Sequence, residues 1–245
     1  MSMSSSKKGL VYANDATVPT KLASVNAGWH YNWGYSIQES VNVPFVPMIW
    51  GLKTVPQTAG LAAEVPGFDH VLLGFNEPDG AKQSNVSVAD AIAHWSSLMA
   101  TGRRLGSPAT AGNPTAANSW LSQFMAEAKA QNLRVDFICV HWYAPPHAKS
   151  FLAEIDAIYA QYGLPIWITE FSPADWSASA TTPAKFTSQD AIDFMNQIVP
   201  ELNSRPFVER FTWKTRSTED VNLGFAALFN DDGSLTAVGE AYAKL

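Results

Sequence analysis

The stretch Val71–Asp79, with the sequence VLLGFNEPD, constrains the fold of this chain more than any other segment. Its first five residues are apolar or glycine, and the chain then turns polar at Asn76 and Glu77. A continuous apolar run of this length is typical of a strand buried on both faces, as in a parallel sheet. Pro78 cannot extend a strand ladder, so we expect the strand to end near Glu77. Taken alone, the segment fits equally well a strand that ends in a polar turn with a solvated Glu77.

A second segment, Pro165–Phe171 (PIWITEF), repeats the pattern and closes on Glu170. The two segments lie about three strand-and-helix units apart, and the carboxyl ends of the strands in a β/α barrel share one face. Both carboxylates can therefore lie across one pocket. A pair of carboxylates is the chemical equipment of glycoside hydrolysis.

Strand and helix patterns alternate along the whole chain. Eight candidate strands occur, the number that closes a barrel, and 245 residues is a routine length for one β/α barrel. We predict an α/β fold, a single (β/α)8 TIM barrel over residues 9–245, preceded by a disordered lead over residues 1–8. The predicted strands are Gly9–Asn14, Ala27–Trp33, Phe45–Trp50, Val71–Asn76, Arg104–Pro108, Asp136–Tyr143, Ile166–Glu170 and Glu209–Lys214.

Capping residues and glycines mark the ends of the predicted helices. Ser87 with Asp90 resembles a capping box at the start of a helix over Val88–Thr101, which Gly102 ends. The other predicted helices are Ser119–Gln131 with Asn118 as its cap, Ala148–Tyr162 ended by Gly163, Gln189–Asn203 with Ser188 as its cap, and Ala237–Lys244.

Composition narrows the class of protein. The chain is 47% hydrophobic and 16% charged, which is typical of a globular protein, and its net charge of -6 argues against a nucleic-acid partner. No apolar run approaches transmembrane length. Cys139 is the single cysteine and lies in an apolar run, so we expect a small buried hydrophobe and no intrachain disulfide. The opening MSMSSSKKGL lacks an apolar signal core, and we expect a lead from which a signal peptide has been removed.

Aromatic and polar side chains are concentrated where the predicted strands end. The chain has nine tryptophans, and in a cleft their faces are platforms for flat apolar surfaces, including those of sugars. Side chains alternate along a strand, so Trp142 and Tyr143 cannot both point into one pocket. The residues at these ends are His30, Tyr31, Asn32, Trp33, Trp50, Asn76, Glu77, His141, Trp142, Tyr143, Glu170 and Trp213.

Five motifs, YNWG, PMIWG, GFNEPD, VHWY and WITEF, occur in this order along the chain. In order and spacing they resemble glycoside hydrolase family 128, which belongs to the clan A (β/α)8 barrels. The resemblance extends from about Gly9 to the C-terminus. The family is known for endo- and exo-acting β-1,3-glucanases, and for members that bind glucan oligosaccharides without cleaving them.

The resemblance implies a role for each matching residue. Glu77 matches the general acid/base, and Glu170 matches the nucleophile. Asn76 matches the residue that bonds the sugar 2-hydroxyl, and Tyr143 matches a tyrosine that contacts the nucleophile. Trp213 matches a tryptophan under the sugar at the cleavage site.

Further residues are expected to bind substrate around the carboxylate pair. His141 is expected to orient a catalytic carboxylate, by analogy with related families. The sequence departs from the family at Lys214, Thr215 and Arg216, where an apolar aromatic residue often follows the tryptophan, which changes the expected shape of the adjoining subsites. The expected stacking residues are Trp50, Trp142 and Trp213, with Tyr31, Trp33 and Trp176 as additional binding residues.

We therefore predict a retaining β-1,3-glucanase that hydrolyses a β-1,3-glucan such as laminarin and uses neither a cofactor nor a metal. Endo action is expected, and exo action stays open, because the choice depends on whether loops wall off one end of the cleft. Two alternatives stay open: a non-catalytic binding protein for β-1,3-glucan oligosaccharides on the same fold, and a clan A hydrolase of another β-glycan, such as mannan or a β-1,4-glucan. The expected partner is a glucan polysaccharide or oligosaccharide, with no nucleic acid and no membrane. We expect a monomer located outside the cell or in the cell wall.

Overall fold

The computed structural model describes residues 7–39, 41–62 and 67–245, and strands alternate with helices through them. The strands are β1 (Lys8–Val11), β2 (Trp29–Tyr31), β3 (Val71–Leu72), β4 (Arg104–Leu105), β5 (Ile138–Ala144), β6 (Ile166–Pro173) and β7 (Val208–Lys214). The α-helices are α1 (Val18–Ser24), α2 (Thr58–Leu61), α3 (Val88–Met99), α4 (Trp120–Ala130), α5 (Ala148–Tyr162), α6 (Ser188–Ser204) and α7 (Ala237–Lys244). Short 3₁₀ helices cover Leu52–Gln57 and Gly224–Ala226.

The strands pair in parallel. Five of them form a sheet in the order β2-β1-β7-β6-β5, and β3 pairs with β4 in a second sheet. This parallel pairing, with helices between the strands, confirms the predicted α/β class. Isolated parallel bridges extend the pairing from His30 to Phe45, from Met48 to Leu73 and from Gly106 to Phe137.

The predicted third strand over Phe45–Trp50 is wrong as a continuous strand. Within it, Phe45 and Met48 make isolated bridges only. The amides of Phe45 and Ile49 donate to backbone oxygens of the chain around β3, at 3.0 and 3.1 Å. Pro47 lies between these two donors and has no amide hydrogen, so the ladder is interrupted there.

Two predicted helix ends are confirmed. The Ser87 hydroxyl accepts a hydrogen bond from the amide of Asp90 at 3.0 Å, and α3 begins at the next residue, Val88. Gly163 ends α5 in a left-handed conformation, with φ of 65°. Glycine adopts this conformation without the steric cost of a Cβ atom.

Two predicted caps are wrong by one residue. Ser119 caps α4 in place of Asn118, because its hydroxyl accepts from the amide of Ser122 at 3.1 Å. Thr187 caps α6 in place of Ser188, because Thr187 forms a reciprocal capping box with Asp190.

Side-chain alternation along β5 decides which residues reach the site. Cys139 is buried in an inner cluster, whereas its two strand neighbours pack in the cluster that faces the helices. Because residues two apart on a strand share a face, His141 and Tyr143 follow Cys139 to the inner side. Trp142 faces the helices instead. The inner cluster consists of Val11, Trp29, Tyr31, Val46, Met48, Val71, Leu73, Ala109, Phe137, Cys139 and Trp167.

The fold begins one residue earlier than predicted. We expected residues 1–8 to form a disordered lead, but β1 begins at Lys8, which pairs with Phe211 of β7. The side chain of Lys8 is buried, and its Nζ donates to the carbonyl oxygen of Tyr242 at 2.7 Å. Residues 1–6 lie outside the described residues. In the described ranges, no helix combines the length and apolarity that crossing a bilayer requires.

Candidate active site

A cleft of about 610 Å³ opens at the carboxyl ends of the parallel strands. Glu77 follows β3, Glu170 lies within β6, and Tyr143 lies near the end of β5. Seven of the predicted site residues line this cleft together: Trp33, Trp50, Asn76, Glu77, Tyr143, Glu170 and Trp176.

The carboxylate of Glu170 is held by several hydrogen-bond donors. Trp33 Nε1 donates to Oε1 at 2.7 Å, and the Tyr143 hydroxyl donates to Oε2. The Tyr31 hydroxyl lies 2.9 Å from the carbonyl oxygen of Thr169 and 3.3 Å from Glu170 Oε1, so its one proton is shared between them. These contacts fix the orientation of the carboxylate and favour its charged form.

The surroundings of Glu170 keep it ionised at neutral pH. Burial by itself raises the pKa of this carboxyl group. The charges of His141 and Lys214 and the hydrogen bonds from Trp33 and Tyr143 outweigh burial, and the pKa lies below its usual range. An ionised, fixed and buried carboxylate has the properties that a nucleophile needs.

His141 lies between the two carboxylates. Its Nδ1 is 2.9 Å from Glu77 Oε1, and its Nε2 is 3.4 Å from Glu170 Oε1, within ion-pair distance but without hydrogen-bond geometry. Burial lowers the pKa of His141, but the attraction of Glu170 and Glu77 outweighs it and raises the pKa overall. The raised pKa of His141 favours its protonated form, in which Nδ1 donates a hydrogen bond to Glu77 Oε1.

The backbone of Glu77 turns sharply out of the strand. Its φ is 41°, in the left-handed region that residues other than glycine adopt rarely and at a cost of about 1–3 kcal/mol. Its amide donates to the carbonyl oxygen of Ala109 at 2.6 Å, and its own carbonyl accepts from Gly80 at 2.9 Å. Strained backbone that is held by such bonds is a common property of functional sites.

Asn76 offers the cleft a polar group that is not fully paired. The residue is 4% exposed, and its Nδ2 lies 3.4 Å from Gln83 Oε1. Among the residues that the structure describes, its Oδ1 has no hydrogen-bond partner. A buried oxygen of this kind is costly to leave unpaired, so it favours a hydroxyl donor from a ligand.

Trp176 and Trp50 present indole surface to the cleft. Trp176 is 63% exposed, and its Nε1 donates to the carbonyl oxygen of Tyr143 at 3.0 Å. This bond fixes the polar edge of the ring and leaves most of its surface accessible. Trp50 is half-buried on the same cleft. Both are suitable platforms for a pyranose face.

Trp142 and Trp213 do not line the cleft, and their prediction as sugar-stacking residues is wrong. Trp213 is fully buried, and its Nε1 donates to the carbonyl oxygen of Ala226 at 2.9 Å. Trp142 is 6% exposed and stacks on Phe194 of α6, with ring centres 5.4 Å apart. In each case the indole points toward the helices, and the next residue along the strand, Tyr143 or Lys214, points toward the cleft.

Tyr31 and His141 lie behind the surface of the cleft. They are 0% and 6% exposed, and their polar atoms contact the carboxylates instead of the open space. The prediction of Tyr31 as a substrate-binding residue is therefore corrected, because it reaches the site through Glu170. The contact of His141 with Glu77 fits the expectation that His141 orients a carboxylate.

Sequence reasoning assigned no role to five residues that line the cleft. Lys214 follows Trp213 on β7, and alternation turns it inward once Trp213 faces the helices. Arg216 follows in the next loop. The departure from the family pattern at these two positions was the available signal. The other three, Gln83, Ala111 and Leu223, come from loops whose positions depend on tertiary contacts.

Comparisons with known proteins cover nearly the whole chain. The profile of the glycosyl hydrolase catalytic core matches residues 9–242. A family 128 (subgroup I) endo-β-1,3-glucanase from Amycolatopsis mediterranei, solved with laminaritriose, is 35% identical, covers 98% of this chain and 99% of its own, and has a TM-score of 0.85. A family 128 (subgroup V) exo-β-1,3-glucanase from Cryptococcus neoformans is 25% identical, covers 97% and 98%, and has a TM-score of 0.76.

A third relative is longer than this chain. Alkali-sensitive linkage protein 1 of Schizosaccharomyces pombe is 30% identical over an aligned region of 249 positions that covers 97% of this chain. The chain spans 44% of the length of that curated relative.

The chain has a parallel α/β fold with two carboxylates in one cleft, and the glycosyl hydrolase core matches almost all of its length. These findings define the protein as a glycoside hydrolase. The likeness to the Amycolatopsis enzyme is specific enough to give the family. The chain belongs to glycoside hydrolase family 128, which confirms the resemblance found in its five motifs.

Proposed function

We propose that this chain is a retaining endo-β-1,3-glucanase in which Glu170 is the nucleophile and Glu77 is the general acid/base. The observation that carries the proposal is the unequal environment of two carboxylates in one cleft. Glu170 is fixed by Trp33 and Tyr143 and is ionised, whereas Glu77 shares a proton-bearing contact with His141. Double displacement requires one ionised carboxylate and one that carries a proton.

In the first step, Glu170 forms an ester bond to the anomeric carbon while the bond to the leaving oxygen breaks. Glu77 donates its proton to that oxygen. In the second step, water attacks the same carbon from the face that the leaving group vacated, passes a proton to Glu77 and releases Glu170. Two inversions preserve the anomeric configuration. We expect the two carboxyl groups to lie about 5–5.5 Å apart, the separation of retaining enzymes.

The surrounding residues support this chemistry. Asn76 is proposed to bond the sugar 2-hydroxyl through its Oδ1, which has no hydrogen-bond partner among the described residues, and a bond that strengthens in the transition state accelerates the reaction. Tyr143 holds Glu170 in its reactive orientation. Trp50 and Trp176 are proposed to stack on sugars on either side of the cleaved bond.

The catalytic fold is proposed to be a closed (β/α)8 barrel. The sheet of five and the pair β3-β4 account for seven of its strands, and the segment around Phe45 and Met48 is the eighth. The isolated parallel bridges, which link this segment to both neighbours and β4 to β5, support continuous pairing around the ring.

The proposed substrate is a β-1,3-glucan such as laminarin. Support comes from the solved family 128 relatives, which hold laminaritriose, laminaripentaose and laminarihexaose. Endo action is favoured because the relatives that are 34–35% identical are described as endo-acting, and the exo-acting one is 25% identical. A monomeric state and a location outside the cell or in the cell wall are part of the same proposal.

One assay separates the proposal from its two alternatives. Reducing-sugar release is measured on laminarin, carboxymethylcellulose and mannan, with Glu170→Gln as the inactive control. Release from laminarin alone supports the proposal, and a ladder of products of intermediate length supports endo action. Binding of laminari-oligosaccharides without release indicates a non-catalytic binding protein, and release from one of the other polymers indicates a different β-glycan.

A further inference from the structure

Lys214 brings a positive charge into the cleft beside the proposed nucleophile. Its side chain lines the same space as Glu170 and Trp33, and its Nζ lies 3.8 Å from the centre of the Trp33 indole. The double-displacement chemistry proposed above does not use this ammonium group.

The indole of Trp33 connects the two charges. Its Nε1 donates to Glu170 Oε1 at 2.7 Å, while its ring face carries the Lys214 ammonium. A cation over an aromatic face is attracted by the ring and draws electron density from it, which makes the N–H a better donor. Trp33 has φ of 61°, an unfavourable conformation for a bulky residue, so its position is imposed by its surroundings.

We propose that Lys214 is a positioning residue for Glu170: its ammonium group stabilises the carboxylate through space and fixes the indole that hydrogen bonds to it. The inference rests on the proposed role of Glu170 as nucleophile.

Other charged and titratable groups also face Glu170. Arg216 is more exposed to solvent than Lys214: its side chain is 57% exposed, and its Nε lies 3.7 Å from Asp220 Oδ2. Burial lowers the pKa of Lys214 to about 8 against the attraction of Glu170, so Lys214 is charged in the acidic range where Glu170 titrates. The remaining groups are His141 and Tyr143 on β5, Tyr31 on β2, and Glu77 after β3.

The test measures the Glu170 carboxyl group directly. Protein labelled with ¹³C at the glutamate carboxyl carbons is titrated by NMR, and Glu170→Gln identifies the resonance. Lys214→Met removes the charge and keeps most of the hydrocarbon stem, and it should raise the midpoint of Glu170 by about 1 pH unit. Lys214→Arg should preserve the parent midpoint. An unchanged midpoint in Lys214→Met overturns the proposal.

This readout is independent of hydrolysis. If the parent does not cleave laminarin, the proposed function fails while the titration still decides the role of Lys214. If laminarin is cleaved, the acidic limb of kcat/KM should move to higher pH in Lys214→Met by the same amount. Lys214→Gln replaces Lys214→Met if the latter does not unfold cooperatively.

Two further variants test the specificity of the effect. Arg216→Met removes a charge from the more exposed part of the cleft, and an equal rise in the Glu170 midpoint would overturn the role of Lys214 in favour of the general charge of the cleft. Trp33→Phe, alone and combined with Lys214→Met, tests the indole. If the Glu170 midpoint shifts less in the double variant than the sum of the shifts in the two single variants, Lys214 acts on Glu170 partly through Trp33. If the shifts are additive, that part of the proposal is overturned.

Discussion

At the scale of single residues, two glutamates of the same chemistry are separated by their neighbours. Glu170 accepts from Trp33 and Tyr143, so it is fixed and ionised. Glu77 lies against His141, whose raised pKa keeps a proton available at their contact. The proposed division into nucleophile and acid/base rests on these different donors around the two carboxylates.

The first prediction distinguishes these roles. Glu170→Ala should abolish hydrolysis, because no glycosyl-enzyme can form. Glu77→Ala should retain the first step with an activated aryl β-laminari-oligoside, whose leaving group needs little protonation. Azide needs no general base, so it should intercept the intermediate of Glu77→Ala and give a β-glycosyl azide. Aryl release with and without azide is measured, and the anomer is identified by NMR.

Glu127→Ala is the matched control for this experiment. Glu127 is exposed on α4, so its loss should leave aryl release at the level of the parent. An α-azide from Glu77→Ala, or a β-azide from Glu170→Ala, would contradict the assignment of roles.

The second prediction separates exposed from buried tryptophans. Trp50→Ala and Trp176→Ala should each weaken binding of laminari-oligosaccharides by about 1–3 kcal/mol, since each removes an aromatic platform from the cleft. Trp213→Ala should instead lower the free energy of unfolding by about 3–5 kcal/mol, because it empties a buried site. Calorimetric titration and urea unfolding measure the two effects. Unchanged affinity in both Trp50→Ala and Trp176→Ala would remove the stacking assignment.

At the scale of elements, each strand and helix is placed by a few local features. On β7, Trp213 points toward the helices and Lys214 points toward the cleft, because side chains alternate along a strand. This alternation decides both the packing against the helices and the charge in the cleft. Helix α5 ends at Gly163, where glycine permits the chain to reverse.

The third prediction concerns this glycine. Gly163→Ala should lower the free energy of unfolding by about 1 kcal/mol, because alanine is strained at a φ of 65°. Gly60→Ala is the matched control, since Gly60 lies within α2 and no heavy atom of the described residues comes within 4 Å of an added Cβ. That change should be neutral or stabilising. If both variants lose the same stability, the conformation of Gly163 is not the cause.

At the scale of the whole molecule, the first strand contacts the last strand and the last helix. β1 pairs with β2 and β7, and the Lys8 ammonium donates to the carbonyl oxygen of Tyr242 in α7 at 2.7 Å. Burial lowers the pKa of Lys8 to about 8. The charged form of Lys8 therefore lowers the free energy of unfolding, and this destabilisation disappears once the amine is neutral.

The fourth prediction follows from this pKa, which is lower in the folded state than in the unfolded chain. Between about pH 8 and the ordinary lysine value of about 10.4, the unfolded state binds more protons at Lys8, so stability rises with pH. The unfolding free energy of the parent should therefore rise relative to that of Lys8→Met across this interval. Urea unfolding of both proteins at several pH values measures the difference. Parallel pH dependence of the two proteins would refute the assignment.

The sequence by itself determined the parallel α/β class, the family and the two carboxylates, because buried strands and their polar ends are written in consecutive residues such as those of Val71–Asp79. It also marked α3 and α5, whose caps are local. Only the tertiary structure decided which face each strand residue takes: Trp142 and Trp213 face the helices, and Lys214 faces the cleft. The burial of the site residues and the contacts of His141 with both glutamates likewise depend on residues that are far apart in the chain. A local sequence pattern does not encode contacts between such distant residues.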